Sequence, residues 1–97
     1  MMILTVPSPA FPLGQLVATP GALQALEEAG ECLAAFVVRH ACGDWGNLCD
    51  ADRQENARAL REGGRLMSTY TLKNGETLWI ITEADRSVTT LLLPLEY

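Results

Sequence analysis

Ninety-seven residues are enough for one domain with a modest core, and such a chain needs neither disulfides nor a metal to fold. Apolar residues make up 48% and charged residues 20%, an ordinary globular profile that excludes a disordered chain. The formal charge of −5 excludes broad attraction to nucleic acid, which depends on clustered Lys and Arg, and favours a protein partner.

Met1–Ala10 holds Pro7 and Pro9, no basic side chain and only a short apolar patch. It predicts an extended, poorly ordered arm rather than a signal peptide or a membrane span, with residues 11–97 forming the single domain. Gln15–Ala18 is a short strand candidate. Thr19-Pro20 reads as an N-cap followed by Pro at the first helical position, where its missing N–H is no loss. The helix it opens is expected to end at Gly30, with Leu23 and Leu26 inward and Glu27 and Glu28 toward water. A second helix is expected over Glu31–Cys42, because Leu33, Phe36, Val37 and His40 recur at i, i+3, i+4, i+7. Asp50 is the expected N-cap of a third, Ala51–Glu62, acidic at its start and basic at its end, with a thin stripe of Ala57 and Leu60.

Arg65–Leu72 and Thr77–Glu83 are β-rich runs joined through Lys73-Asn74-Gly75-Glu76. A two-residue type I′ turn at Asn74-Gly75 would set Tyr70 opposite Trp79, Ser68 opposite Ile81 and Leu66 opposite Glu83, all on one face. After a charged loop, Val88–Leu93 is a last strand stopped by Pro94. The predicted fold class is α+β: three N-terminal helices packed on a three- to four-stranded antiparallel sheet formed mainly by the C-terminal meander.

Cys32, Cys42 and Cys49 are odd in number and lack the paired Cys/His spacing of a zinc site, so they imply no metal and read as thiols of a reducing cytoplasm. No cofactor is implied, since the nucleotide, dinucleotide, zinc-protease and serine-hydrolase motifs are missing from the sequence. His40 is either packed with the Leu33, Phe36, Val37 stripe or a general acid and base. Arg39 beside it pairs with a carboxylate or contacts phosphate. In Gly43-Asp44-Trp45-Gly46, Asp44 stabilises a turn, and Trp45 either plugs the seam between helices and sheet or anchors a protein interface. Thr82 to Ser87 is the densest polar cluster; Glu83, Asp85 and Arg86 keep that loop solvated or, held by rigid strands, build a binding site.

Phe11–Leu23, Arg39-His40, Gly43-Asp44-Trp45-Gly46, Trp79–Ser87 and Leu92–Tyr97 together resemble a family of small bacterial plasmid-related proteins. These are carried on plasmids and integrative elements and often labelled type I restriction endonuclease subunit M. The resemblance covers nearly everything after Ala10 and implies a setting of conflict or maintenance between a mobile element and its host. It does not extend to a modification subunit, which must hold S-adenosylmethionine and flip a base, work for a domain very roughly twice this size. A second resemblance concerns architecture alone: helices preceding an antiparallel meander are similar to the metal-independent RNases of the barnase, EndoU, colicin and RelE grouping. That likeness implies His40 as proton shuttle, Arg39, Arg65 and Arg86 on phosphate, and Tyr70 or Thr82 near the scissile group.

The leading expectation is a cytoplasmic, non-enzymatic accessory protein of a mobile element, a description that anti-restriction or anti-CRISPR inhibition would fit without the sequence selecting it. It would bind a host or element protein through Glu27, Glu28 and Glu31, with Asp44 and Trp45 nearby. The alternative is a metal-independent ribonuclease in which Arg39, His40, Arg65 and Arg86 converge in one cleft. A third expectation is a homodimer paired through the open edge of Val88–Leu93.

Overall fold

A computed structural model describes residues 8–97, so the first seven residues of the expected arm lie outside the described residues. The elements run β1 (Gln15–Ala18), α1 (Pro20–Ala29), α2 (Leu33–Ala41), α3 (Asp50–Glu62), β2 (Leu66–Thr71), β3 (Thr77–Thr82) and β4 (Val88–Leu92), followed by a 3-10 turn over Pro94–Glu96. No helix among the described residues is long and apolar enough to cross a membrane.

The caps explain where α1 lies. The Thr19 hydroxyl accepts from the Ala22 N–H at 3.1 Å, Pro20 fills the first position, and Gly30 ends the helix in the left-handed region. Its buried residues are Ala22, Ala25 and Leu26; Leu23, expected inside, is 49% exposed. Leu26 is buried as expected, and the two alanines beside it let the helix lie close to the sheet while adding little to an apolar pattern. α2 buries Phe36, Val37 and His40 as their spacing predicts. α3 includes Asp50, with Cys49 at the N-cap, and buries Asn56 and Ala59 instead of Ala57 and Leu60. The Asn56 amide decides that rotation: it donates to the Met67 carbonyl at 2.7 Å and accepts from the Met67 N–H at 3.2 Å, docking the helix on β2.

The sheet has the order β1-β4-β3-β2 and is mixed, which corrects the expected antiparallel sheet. β2, β3 and β4 form the antiparallel meander, but β1 joins β4 in parallel, Gln15 beside Val88 and Ala18 beside Leu91. The direction follows from where the chain enters. Phe11 is buried and the Leu13 carbonyl accepts from Thr89, so β1 starts at the Ser87 end of β4 and leaves beside Leu91. The three helices and the β2–β3 hairpin lie between the two strands, a connection long enough for a parallel pair. β4 is therefore an inner strand, and the open edge expected for a homodimer is already taken.

The hairpin register also differs from the expected one. Lys73-Asn74-Gly75 is a three-residue loop: the Leu72 N–H donates to the Glu76 carbonyl at 2.8 Å, the Gly75 N–H donates to the Leu72 carbonyl at 2.9 Å, and Gly75 has φ 88°. That is the turn-plus-bulge alternative to type I′, which needs positive φ at Asn74 as well. Asn74 is occupied otherwise, donating from its amide to the Ala25 carbonyl at 3.2 Å and accepting from the Glu76 N–H at 3.1 Å. Tyr70 thus pairs with Leu78, Thr69 with Trp79, Ser68 with Ile80 and Leu66 with Thr82. A one-residue slip turns a strand over, so Tyr70 faces the helices and Trp79 the other side.

Under the helices, Ala22, Leu26, Phe36, Val37, Tyr70, Leu78, Ile80 and Leu91 make the main core. Phe11, Trp45, Leu48, Ala59 and Leu66 make a second, smaller cluster.

Candidate functional site: a buried histidine row and an acidic groove

His40, Ser68, Thr82 and Thr89 are buried polar residues on the helix-facing side of the sheet, and they form one row. His40 Nδ1 lies 2.5 Å from Ser68 Oγ and Nε2 lies 2.9 Å from Thr82 Oγ1; Thr82 Oγ1 is 2.7 Å from Thr89 Oγ1. Thr89 donates to the Leu13 carbonyl at 2.7 Å, and that end fixes the protons behind it. A carbonyl only accepts, so Thr82 donates to Thr89 and His40 Nε2–H donates to Thr82. Burial keeps the imidazole neutral, pushing the His40 pKa down to about 4, which leaves Nδ1 to accept from Ser68.

A strap seals the row. The Ala10 N–H donates to the Ala41 carbonyl at 2.7 Å, Phe11 stands edge-on to His40 at 5.3 Å and stacks with Trp45 at 6.1 Å, and Trp45 meets His40 edge-on at 5.6 Å. His40 is 0% exposed, so an acid–base role has no path to a substrate. Trp45 is buried and fills the seam; it presents no exposed anchor. Its loop also closes an edge of the sheet. The Asn47 N–H donates to the Thr69 carbonyl at 2.8 Å and the Thr69 N–H donates to the Trp45 carbonyl at 3.2 Å, with Gly46 at φ 71° directly against Thr69 and the Tyr70 ring.

The charged candidates hold structure around this core. Arg39 Nε pairs with Asp44 at 2.7 Å and lies over the Tyr70 ring at 4.6 Å, while the Tyr70 hydroxyl donates to the Asp44 carbonyl at 2.6 Å. The Arg39 guanidinium holds the Asp44 carboxyl below the usual carboxylate range, and burial pushes Tyr70 up to about 12. Arg86, at φ 62°, donates to the carbonyls of Gly64, Glu83 and Ala59 at 2.5, 3.1 and 3.1 Å. Asp85 accepts from the Ser87 N–H at 3.0 Å and is held below its ordinary pKa by Ser87. Arg65 stands elsewhere, with Glu83 at 3.3 Å and the Tyr97 hydroxyl at 2.7 Å. Of the residues named for phosphodiester cleavage, His40 and Thr82 meet in the core and Arg39 meets Tyr70 at its rim. Arg65 and Arg86 do not join them, and the single cleft that chemistry requires is not formed.

Ser68, Thr89 and Asn56 were passed over in the sequence. Their signal is a polar residue on the inward face of an apolar strand or helix, readable only once register and rotation are known. The second feature lies on the outer surface, where α1 meets the β2–β3 hairpin tip. A groove of about 330 Å³ lies there, lined by Gly21, Gln24, Ala25, Asn74 and Leu93 and by the acidic Glu28 and Glu76. The tip is tied to the helices by Asn74 on Ala25 and by the Lys73 N–H donating to the Glu31 carboxylate at 2.9 Å.

Among the described residues, every buried side-chain polar atom has a hydrogen-bond partner, and no cluster of His, Cys, Asp and Glu is placed to hold a metal. No protein-family model, curated protein or solved structure matches the chain.

Proposed function

We propose that this chain is a small acidic accessory protein of a mobile genetic element that works by binding another protein. The mobile-element setting is carried by the sequence resemblance. The binding role is supported by one structural observation above the rest: the groove between α1 and the hairpin tip, a mostly polar hollow whose lining includes the carboxylates of Glu28 and Glu76. Such a groove suits a partner segment that carries Lys or Arg, with charge steering the encounter and the polar lining supplying hydrogen bonds.

The polar groups that chemistry would need are engaged internally, His40 in its row and Arg39 and Arg86 on protein acceptors. That engagement favours binding over catalysis. The test is capture of a partner from the host by immobilised protein, in parallel with a Glu28→Lys/Glu76→Lys variant. A stoichiometric protein held by the parent, released by moderate salt and lost by the variant supports the reading. Capture unchanged by the two substitutions, or no stoichiometric partner, overturns it.

A further inference from the structure

The hairpin tip carries Asn74-Gly75, a dipeptide with a chemistry of its own besides its turn preference. The Gly75 backbone nitrogen, with no side chain on the next carbon to shield it, can attack the Asn74 Cγ and close a five-membered succinimide. The attacking N–H loses its proton, the bond from Cγ to Nδ2 breaks, and ammonia leaves. Water then opens the ring at either carbonyl, giving aspartate or an isoaspartyl link in which the main chain runs through the side chain. One water enters and one ammonia departs, so NH2 is exchanged for OH. A Cβ built at Gly75 meets no atom within 4 Å and Asn74 is exposed, so solvent reaches the reacting atoms.

We infer that Asn74 is a deamidation site guarded by the fold, and that its conversion unlocks the hairpin tip from α1. The guard is three hydrogen bonds. The Asn74 amide donates to the Ala25 carbonyl at 3.2 Å and its oxygen accepts from the Glu76 N–H at 3.1 Å, which holds the side chain at both of its polar atoms. The nucleophile is engaged as well, the Gly75 N–H donating to the Leu72 carbonyl at 2.9 Å. Ring closure needs Cγ turned onto that nitrogen and the nitrogen free of its proton. The bonds therefore open first, and the rate follows the population of the open tip. The same contacts set the consequence. Aspartate keeps an acceptor for Glu76 but puts a carboxylate oxygen where the NH2 stood, against the Ala25 carbonyl, and neither can donate. The new charge also joins Glu28 and Glu76, which line one groove with Asn74. The isoaspartyl product adds a methylene to the main chain inside the loop that sets the register of β2 and β3.

The experiment holds the whole chain at one pH and temperature, folded and unfolded in denaturant, and follows Asn74 over time by mass spectrometry of the peptide that contains it. Conversion in denaturant is expected to outrun that in the folded chain by at least about tenfold, since the bonds, each of ordinary net strength, open together. Asn47 and Asn56, followed by Leu48 and Ala57, are internal controls expected to convert far more slowly in denaturant. Gly75→Ala, which puts a methyl beside the nucleophile, should slow the unfolded reaction several-fold. Asn74→Asp supplies one product directly. It should exchange faster at the Lys73 and Gly75 amides, which bond Glu31 and Leu72, and unfold at a lower urea midpoint than the parent. Equal rates in the folded and unfolded chain remove the guard, and an amide that persists in denaturant removes the site. An Asn74→Asp chain with parental exchange and midpoint removes the unlocking; each of these overturns the inference. Any effect on partner capture rests on the binding role proposed above, whereas mass and exchange are read on the chain alone, so the two can fail separately.

Discussion

The guanidinium of Arg86 donates to the Ala59 carbonyl at 3.1 Å, joining the loop between β3 and β4 to the last turn of α3. The same group reaches the carbonyls of Gly64 and Glu83 and lies 5.8 Å from the Phe11 ring, so one side chain ties helix, hairpin and strap together. A cation at a helix C-terminus is also the sign the helix dipole favours. Arg86→Ala is expected to cost about 2–3 kcal/mol through lost charge-assisted bonds, and Arg86→Lys to recover only part, having no planar fork. Because φ is 62° there, Arg86→Gly should be more stable than Arg86→Ala by about 1 kcal/mol. Urea unfolding of the three variants measures both differences; equal losses in Ala and Gly would remove the backbone part of this account.

His40 makes stability fall in acid. Its folded pKa of about 4 lies below the ordinary 6.5, so between those values the unfolded chain binds a proton that the folded chain refuses. Stability therefore rises with pH across that window, is unaffected by His40 above about 6.5, and is lower by roughly 3 kcal/mol below about 4. His40→Gln keeps one donor and one acceptor without a titrating ring. The difference in unfolding free energy between parent and variant should carry the slope from pH 4 to 6.5 and flatten above it. Nitrogen chemical shifts should report the Nε2–H tautomer at neutral pH.

Phe11 is the lid on that histidine. Phe11→Ala should cost about 3 kcal/mol or more as a large-to-small change in the second core cluster. Water admitted to the row should raise the His40 pKa toward 6.5. Proton NMR titration of the variant checks this, and a pKa left near 4 would show that the helices alone keep the ring dry.

Gly75 and Gly46 share a left-handed backbone and differ in their surroundings. A Cβ at Gly75 meets nothing, whereas one at Gly46 runs into the Thr69 backbone and the Tyr70 ring. Gly75→Ala should cost about 1–2 kcal/mol, the backbone preference alone. Gly46→Ala should cost more than about 3 kcal/mol, because the loop that closes β2 must also move. Thermal unfolding ranks the two, and a smaller loss at Gly46 would contradict the close approach.

Local chemistry is legible without coordinates. Thr19-Pro20 and Gly30 bound α1, the Phe36, Val37, His40 spacing places the inner face of α2, and Asn74-Gly75 marks a hairpin. These signals act over a few residues, where capping, helical period and turn preference have few competitors. The face of α1 was only half legible, Leu26 lying inward as expected while alanines and not Leu23 complete the stripe, and the rotation of α3 was hidden because an amide bonded to a strand beyond the helix outweighs a thin stripe of Ala57 and Leu60.

For the site, the sequence by itself determined which groups exist: one histidine, a net acidic surface, a tryptophan between two glycines and a tip carrying Asn-Gly. Only tertiary structure decided what they do. A bond from the Asn74 side chain to α1 accompanies a three-residue loop, and that single step in register separates Tyr70 from Trp79 and leaves an aromatic outer face. The burial of Phe11 likewise set the direction of β1 and sealed His40. Both decisions depend on contacts between residues distant in the chain, whose free energies no local pattern encodes.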